Sequence, residues 1–133
     1  MRFVLASASP ARLATLRAAG IDPEVVVSGL DESVIAAPDT ASLVEQLAAA
    51  KAQSVSAGVP GDALVLGCDS MLDLDGAMVG KPSSPADAMA FWQRMRGRSG
   101  VLYTGHALIA VSGGVPGTPR IPSVPKSSLG MRG

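Results

Sequence analysis

The stretch Val65–Pro82, VLGCDSMLDLDGAMVGKP, decides how this chain is read. With Leu64 it opens on a compact apolar run, Leu64–Cys68, the pattern of a buried strand. Asp75-Gly76 then separates Met71–Leu74 from Ala77–Val79, the strongest short-range signal for a hairpin. Three aspartates share the stretch, and position distinguishes them. Asp69 follows directly on the strand. In α/β folds the carboxyl ends of strands open onto the ligand crevice, where a carboxylate can hold a divalent metal or take a proton from water. The plainer role for Asp69 is to close the strand's last turn. Asp73 and Asp75 fall in the hairpin.

Outward from this stretch, strands alternate with helices, which gives an α/β fold class. Phe3–Ala6 is a short apolar strand. Ser9-Pro10 starts a helix, with a hydroxyl cap and then proline at the first helical position, and Gly20 stops it. Glu24–Ser28 reads as a second strand. Asp39 or Thr40 caps a long helix to about Val55, with Leu43, Val44, Leu47, Ala48 and Val55 along one face. Ser84-Pro85 opens a further helix, expected to bury Ala88, Phe91, Trp92 and Met95 and to stop near Gly97. Val101–Val111 is a last strand. Beyond it, glycines and prolines break every periodic pattern. Residues 1–111 therefore read as the folded unit and 112–133 as a loose Gly/Pro-rich tail.

A length of 133 residues suits one domain, and 47% hydrophobic against 17% charged residues suits a folded one. Lys+Arg and Asp+Glu balance at 11 each, so there is no basic footprint for sequence-independent nucleic-acid binding. No apolar run is long enough to cross a bilayer. The opening MRFVLASASPARL faintly resembles a signal peptide, but Pro10 and Arg12 interrupt it. A single cysteine, Cys68, excludes an internal disulfide and fits a reducing, cytoplasmic setting.

Several side chains carry a functional and a plain reading together. Ser7 and Ser9 lie between a strand and a helix N-terminus, where N–H groups and the helix dipole favour an anion, and Arg12 adds a positive charge. The plain reading is a Ser-Pro cap with a surface arginine. Lys51 shares the apolar stripe of the long helix. It either snorkels at the edge of that stripe or points into a cleft to meet a carboxylate or phosphate. Gly80-Lys81-Pro82 misses the spacing of a Walker phosphate loop, yet Lys81 can still bring a point charge to a phosphate. LDLDGAMV looks like the nucleophile motif of haloacid-dehalogenase-type phosphatases, with Asp73 as nucleophile and Asp75 as acid/base. A type I′ turn at Asp75-Gly76 explains the same residues more simply. His106, beside Tyr103-Thr104-Gly105, reads as a strand residue, with no cysteine or second histidine in the pattern to make it a metal ligand.

Taken in order, these pieces resemble one family, the Maf-like nucleoside triphosphate pyrophosphatases. LASASPARL resembles its S-x-S-P-R-R segment, Asp31-Glu32 its D-E pair, LAAAKA (47–52) its L-A-x-x-K-A helix, and VLGCDS its strand ending in A-D-T. GKPSSPADAMAFWQRMRGRSGVLYTGHAL resembles its G-K-P, helix, S-G-R and Y-T-G sequence. The resemblance implies a mixed twisted sheet flanked by helices around a cleft of the inosine-triphosphatase type. It also implies metal-dependent hydrolysis of a nucleoside triphosphate to the monophosphate and pyrophosphate. The implied catalytic residues are Asp69, Lys51 and Lys81. Ser7, Ser9, Arg12, Glu32 and Ser70 would bind substrate, and Glu32 and Asp69 would hold Mg²⁺ or Mn²⁺.

The chain departs from the family pattern in three ways. Ala11 stands where the family has arginine or tryptophan, which leaves base preference open. Ser70 stands where threonine is usual. After Y-T-G-x-A-L the family continues through further strands, a D-K-A-G-x-Y segment and a G-L-P helix that have no counterpart here. The expectation is a truncated or frameshifted member with an incomplete second lobe, doubtful activity and an open strand edge. An inert α/β fragment, able to associate through that edge as a homodimer, is the reading opposed to an active enzyme.

Overall fold

The computed structural model describes residues 2–74, 77–79, 84–121 and 126–130. Strands β1 (Arg2–Ala6), β2 (Glu24–Val25), β3 (Ala63–Leu74), β4 (Ala77–Val79), β5 (Ser99–Ser112), β6 (Val115–Pro116) and β7 (Lys126–Gly130) form one mixed sheet. Helices α1 (Pro10–Ala18), α2 (Thr40–Ser56) and α3 (Pro85–Met95) connect them, with a short 3-10 turn at Glu32–Val34. The spine is the long antiparallel pair β3–β5, from Ala63↔Val111 to Leu74↔Gly100. On the other edge of β3, β1 runs parallel over the first residues, ending at Ala6↔Gly67, and β4 runs antiparallel from Leu72↔Val79.

Helix starts fall where the local chemistry puts them. Ser9, Asp39 and Ser84 each turn a side-chain oxygen onto a backbone N–H of the first helical turn, and proline follows both serines. Of the α2 stripe, Val44, Leu47, Ala48 and Val55 are buried and Leu43 is half-buried; Ala52 joins the buried face. Ala48, Ala52 and Val55 close over Val4 and Ala6 of β1, Val65 of β3 and Ala107, Ile109 and Val111 of β5, the centre of the core.

Two glycines set how closely α2 lies on the sheet. A Cβ on Gly67 would run into the Ala48 carbonyl, and one on Gly105 into the Val44 carbonyl. Both glycines belong to the face under α2, so the helix backbone rests directly on strand backbone at these two points. At the amino end of the helix the Thr40 hydroxyl donates to Asp73 Oδ2 at 2.8 Å, fixing the helix along β3.

The structure departs from the sequence expectations in four places. β3 does not stop at Cys68 but continues to Leu74, so Asp69 lies inside a strand. It is the neighbour β1 that ends, at Ala6. β2 covers only Glu24–Val25, extended by one bond from Val26 N–H to the Leu5 carbonyl. α3 buries Met95 and half-buries Phe91, whereas Trp92 remains 44% exposed and Ala88 is exposed too. Residues 113–120, expected in a loose tail, pair with β5. Gly113 and Gly114 take positive φ in the turn, Val115–Pro116 pair with Val111–Ser112, and Arg120 bridges Leu108. Strand β7 adds a further partner to β5.

The glycine contacts make a direct prediction. Gly67→Ala should destabilise the chain by about 3 kcal/mol or prevent folding, because the obstructing atoms are backbone. Gly58→Ala, where a Cβ meets an atom at an ordinary 3.9 Å, should change stability by less than about 0.5 kcal/mol. Urea denaturation of the two variants measures the contrast.

Candidate active site

Between the end of β1 and the start of β4, residues 68–71 of β3 have no strand neighbour on that edge among the described residues. This interruption is the site. Strand alternation sends Asp69 to the α2 face and Cys68 and Ser70 to the other, yet at a free edge groups from both faces reach one cavity. Ser7, Ala8, Ser9, Arg12, Lys51, Cys68, Asp69 and Ser70 line that cavity, of ≈ 170 Å³.

Lys51 is its central cation. It reaches Asp69 Oδ1 at 2.8 Å, Glu32 Oε1 at 3.0 Å and the Cys68 carbonyl at 3.4 Å, using the three donors of an ammonium. The 3-10 turn at Glu32–Val34 supplies Glu32, and α2, seated on its glycines, supplies Lys51. The side chains of Lys51 and Asp69 are only 17% and 15% exposed, so the ammonium lies in the cleft and does not snorkel. Burial alone would lower the Lys51 pKa. Its hydrogen bonds to Asp69 and Glu32, with their charges, outweigh burial and hold it above the ordinary lysine value.

The serines cap and remain available at once. Ser7 Oγ accepts from the Ser9 N–H at 3.2 Å, and Ser9 Oγ accepts from the Arg12 N–H at 3.3 Å. Accepting leaves each hydroxyl its proton, which can point at an anion. The cap and the anion-site readings of Ser7 and Ser9 are thus compatible. Arg12 leans across the edge and donates through Nη2 to Ser70 Oγ at 3.4 Å, a long contact. Its Nε is buried and has no hydrogen-bond partner among the described residues. An orphaned cationic donor at a helix N-terminus is suited to an anion.

The cleft therefore gathers Ser7, Ser9, Arg12, Lys51, Asp69 and Ser70, and Glu32, outside the lining, joins them through its ion pair with Lys51. Lys81 and Asp75 lie outside the described residues. Asp73 is not in the cavity lining. It pairs with Met78 in the β3–β4 ladder and accepts the Thr40 hydroxyl. His106 is a β5 residue opposite Cys68, as expected of a strand position. Sequence reasoning gave no part to Gly67, Gly105 or Thr104. A glycine inside a strand pattern was the available signal for the first two.

Glu32 and Asp69 supply hard oxygen donors of the kind divalent cations take, and both are bonded here to the Lys51 ammonium. Among the described residues no group of three or more His, Cys, Asp or Glu could hold a metal. The pair suits an ion that completes its shell with water and phosphate oxygens.

This sheet and cleft define an α/β protein of a known architecture. The fold is similar to a HAM1 protein from Coxiella burnetii, with TM-score 0.58 and 19% identity over 96% of this chain and 71% of that one. It is also similar to a nucleoside-triphosphatase, or dITP/XTP pyrophosphatase, from Mycobacterium abscessus, with TM-score 0.53 and 18% identity over 96% and 73%. At these identities the likeness speaks for the fold alone. The sequence is more specific: the chain belongs to the Maf-like protein family, whose pattern matches residues 2–124. A nucleoside triphosphate pyrophosphatase from Synechocystis sp. is 62% identical over 107 residues, 80% of this chain and 54% of that protein. One from Salinispora tropica is 53% identical over 118 residues, 86% and 52%. The chain thus spans about half the length of the curated relatives it matches.

Family membership sets aside the dehalogenase-type reading of Asp73. Among the described residues no helix is long and apolar enough to cross a membrane.

Below neutral pH the shifted groups are His106, Asp39 and Glu24, whose carboxyl is held below the usual 4.5 by its hydrogen bond from Arg2. Burial, and then the charge of Arg12, lower the His106 pKa from its usual 6.5. With the folded value depressed, its contribution to stability is full above pH 6.5 and is lost as pH falls through the folded value. The Asp39 carboxyl is held below the usual 3.8 by hydrogen bonds from Ser42, so its contribution disappears only at still lower pH. Denaturation should show stability falling as pH drops below about 7.5, and His106→Asn should flatten that limb while leaving the loss at carboxylate pH unchanged.

Proposed function

We propose that this chain carries the catalytic half-cleft of a nucleoside triphosphate pyrophosphatase, cleaving its substrate to a nucleoside monophosphate and pyrophosphate. One observation carries the reading: Asp69 and Lys51, the latter also paired with Glu32 outside the lining, share a cavity with Arg12, whose Nε has no partner among the described residues. The names of the relatives support the same substrate class.

The residues divide the work. Lys51 is committed to Asp69 and Glu32, which leaves Arg12 and the hydroxyls of Ser7, Ser9 and Ser70 to hold phosphate oxygens. Lys81, from the G-K-P segment, would add a further charge. Asp69 Oδ1 accepts from Lys51, so Oδ2 is the oxygen that takes a proton from the attacking water. The water oxygen bonds to the α-phosphorus, the bond from phosphorus to the bridging oxygen breaks, and pyrophosphate departs with the electron pair. A divalent ion held by Glu32 and Asp69, when bound, supplies charge neutralisation to the phosphates and acidity to water. A cavity of ≈ 170 Å³ is smaller than the ~300–1,000 Å³ of whole-ligand sites, so it suits the polyphosphate and leaves the base outside. The lone cysteine and a nucleotide substrate are in keeping with a cytoplasmic setting.

Pyrophosphate release from a set of nucleoside triphosphates, with Mg²⁺ or Mn²⁺, tests the reading. Turnover should depend on the metal and fall about 10²–10⁴-fold in Asp69→Asn. An Asp73→Asn variant that still folds should retain turnover. No release by the wild-type chain, or equal release by Asp69→Asn, would contradict it.

A further inference from the structure

Ser70 sits at a hydrogen-bond junction that the proposed mechanism does not explain. Its Oγ accepts from Arg12 Nη2 at 3.4 Å and lies 3.0 Å from Thr104 Oγ1, a pair in which either hydroxyl can donate. Thr104 comes from β5, directly opposite Ser70 in the ladder, so the contact is built into the register of the sheet's central pair. A serine hydroxyl has one proton and two acceptor lone pairs. If Thr104 donates, both lone pairs of Ser70 are filled, one by Arg12 and one by Thr104. The Ser70 proton then has no use within the protein and is left for an acceptor in the cavity that Ser70 lines. If Ser70 donates to Thr104 instead, it has no proton for a ligand.

We infer that Thr104 is a positioning residue for polyphosphate: its hydroxyl donates to Ser70 Oγ, turns the Ser70 proton into the cleft and helps hold the Arg12 guanidinium beside it. The inference rests on the polyphosphate reading above and extends it to a residue that does not line the cavity. An anionic ligand selects the productive orientation, because only a phosphate oxygen rewards a donor aimed at it. Thr104 therefore acts through Ser70 and not by touching the ligand.

Calorimetric titration of the full chain with inorganic tripolyphosphate, without metal, tests this. Thr104→Val keeps the branched shape and removes the hydroxyl, and should weaken binding about fivefold. Thr104→Ser restores the hydroxyl and should bind like the wild type, which a purely packing role for the Thr104 methyl would not allow. Ser70→Ala should also weaken binding, and the Thr104→Val/Ser70→Ala double variant should bind no more weakly than Ser70→Ala alone. Equal binding by Thr104→Val and wild type, failure of Thr104→Ser to restore affinity, or additive losses in the double variant would each overturn the inference. Failure of the underlying reading looks different: the wild type would bind no tripolyphosphate, or would bind it as well as Arg12→Ala does. Because Ser70→Ala removes the junction from the exposed side, the comparison survives even if Thr104→Val folds poorly.

Discussion

The close seat of α2 on the sheet is the constraint on which the rest of the structure depends. Gly67 and Gly105 remove the side chains that would otherwise hold the helix away. A helix standing off by a normal side-chain layer would withdraw Lys51 from β3. Asp69 and Glu32 would then confront each other without their shared cation. With the helix seated, the ammonium reaches two carboxylates and a carbonyl, and its own pKa rises despite burial. A buried charge is tolerable only when so completely partnered.

The second constraint is topological. β3 is longer than its parallel neighbour β1, and β4 folds back too far along to fill the space. An interruption in a sheet edge exposes strand backbone and brings side chains of alternate faces to one place. Here the loop after β1 and the start of α1 close the opening, so a capped helix N-terminus and a strand carboxylate share a single cleft. Away from the cleft the sheet is less complete. An apolar groove of ≈ 590 Å³, lined by Phe3, Leu66, His106, Leu108, Arg120 and Ile121, lies on the face that α2 leaves open.

Much of this was legible in the sequence where a local rule had no competitor. Ser9-Pro10, Asp39 and Ser84-Pro85 marked three helix starts because cap chemistry is local. The stripe of α2 forecast its buried face because that helix packs on one surface only. Lys51 on that stripe was ambiguous from spacing alone; family order favoured the cleft, and the ion pair with Asp69 places it there. The misreadings arose where tertiary context decides. The apolar spacing of α3 predicted burial, but burial needs a partner surface, and Ala88 and Trp92 remain exposed. Asp69 read as a strand end because apolarity falls there, although β3 continues by pairing with β5. Glycines and prolines after Ser112 concealed backbone pairing, since an edge strand needs little side-chain pattern to hydrogen bond. Thr104 was invisible because a cross-strand hydroxyl pair depends on register, which no single strand reveals.

Lys51 and Asp69 are energetically joined across the glycine-seated contact. A double-mutant cycle on unfolding free energy, with Lys51→Met, Asp69→Asn and the double variant, measures that coupling most directly. The pair is largely buried, with short geometry, and the predicted coupling is at least about 1.5 kcal/mol. Losses that add to within about 0.5 kcal/mol would contradict the claim.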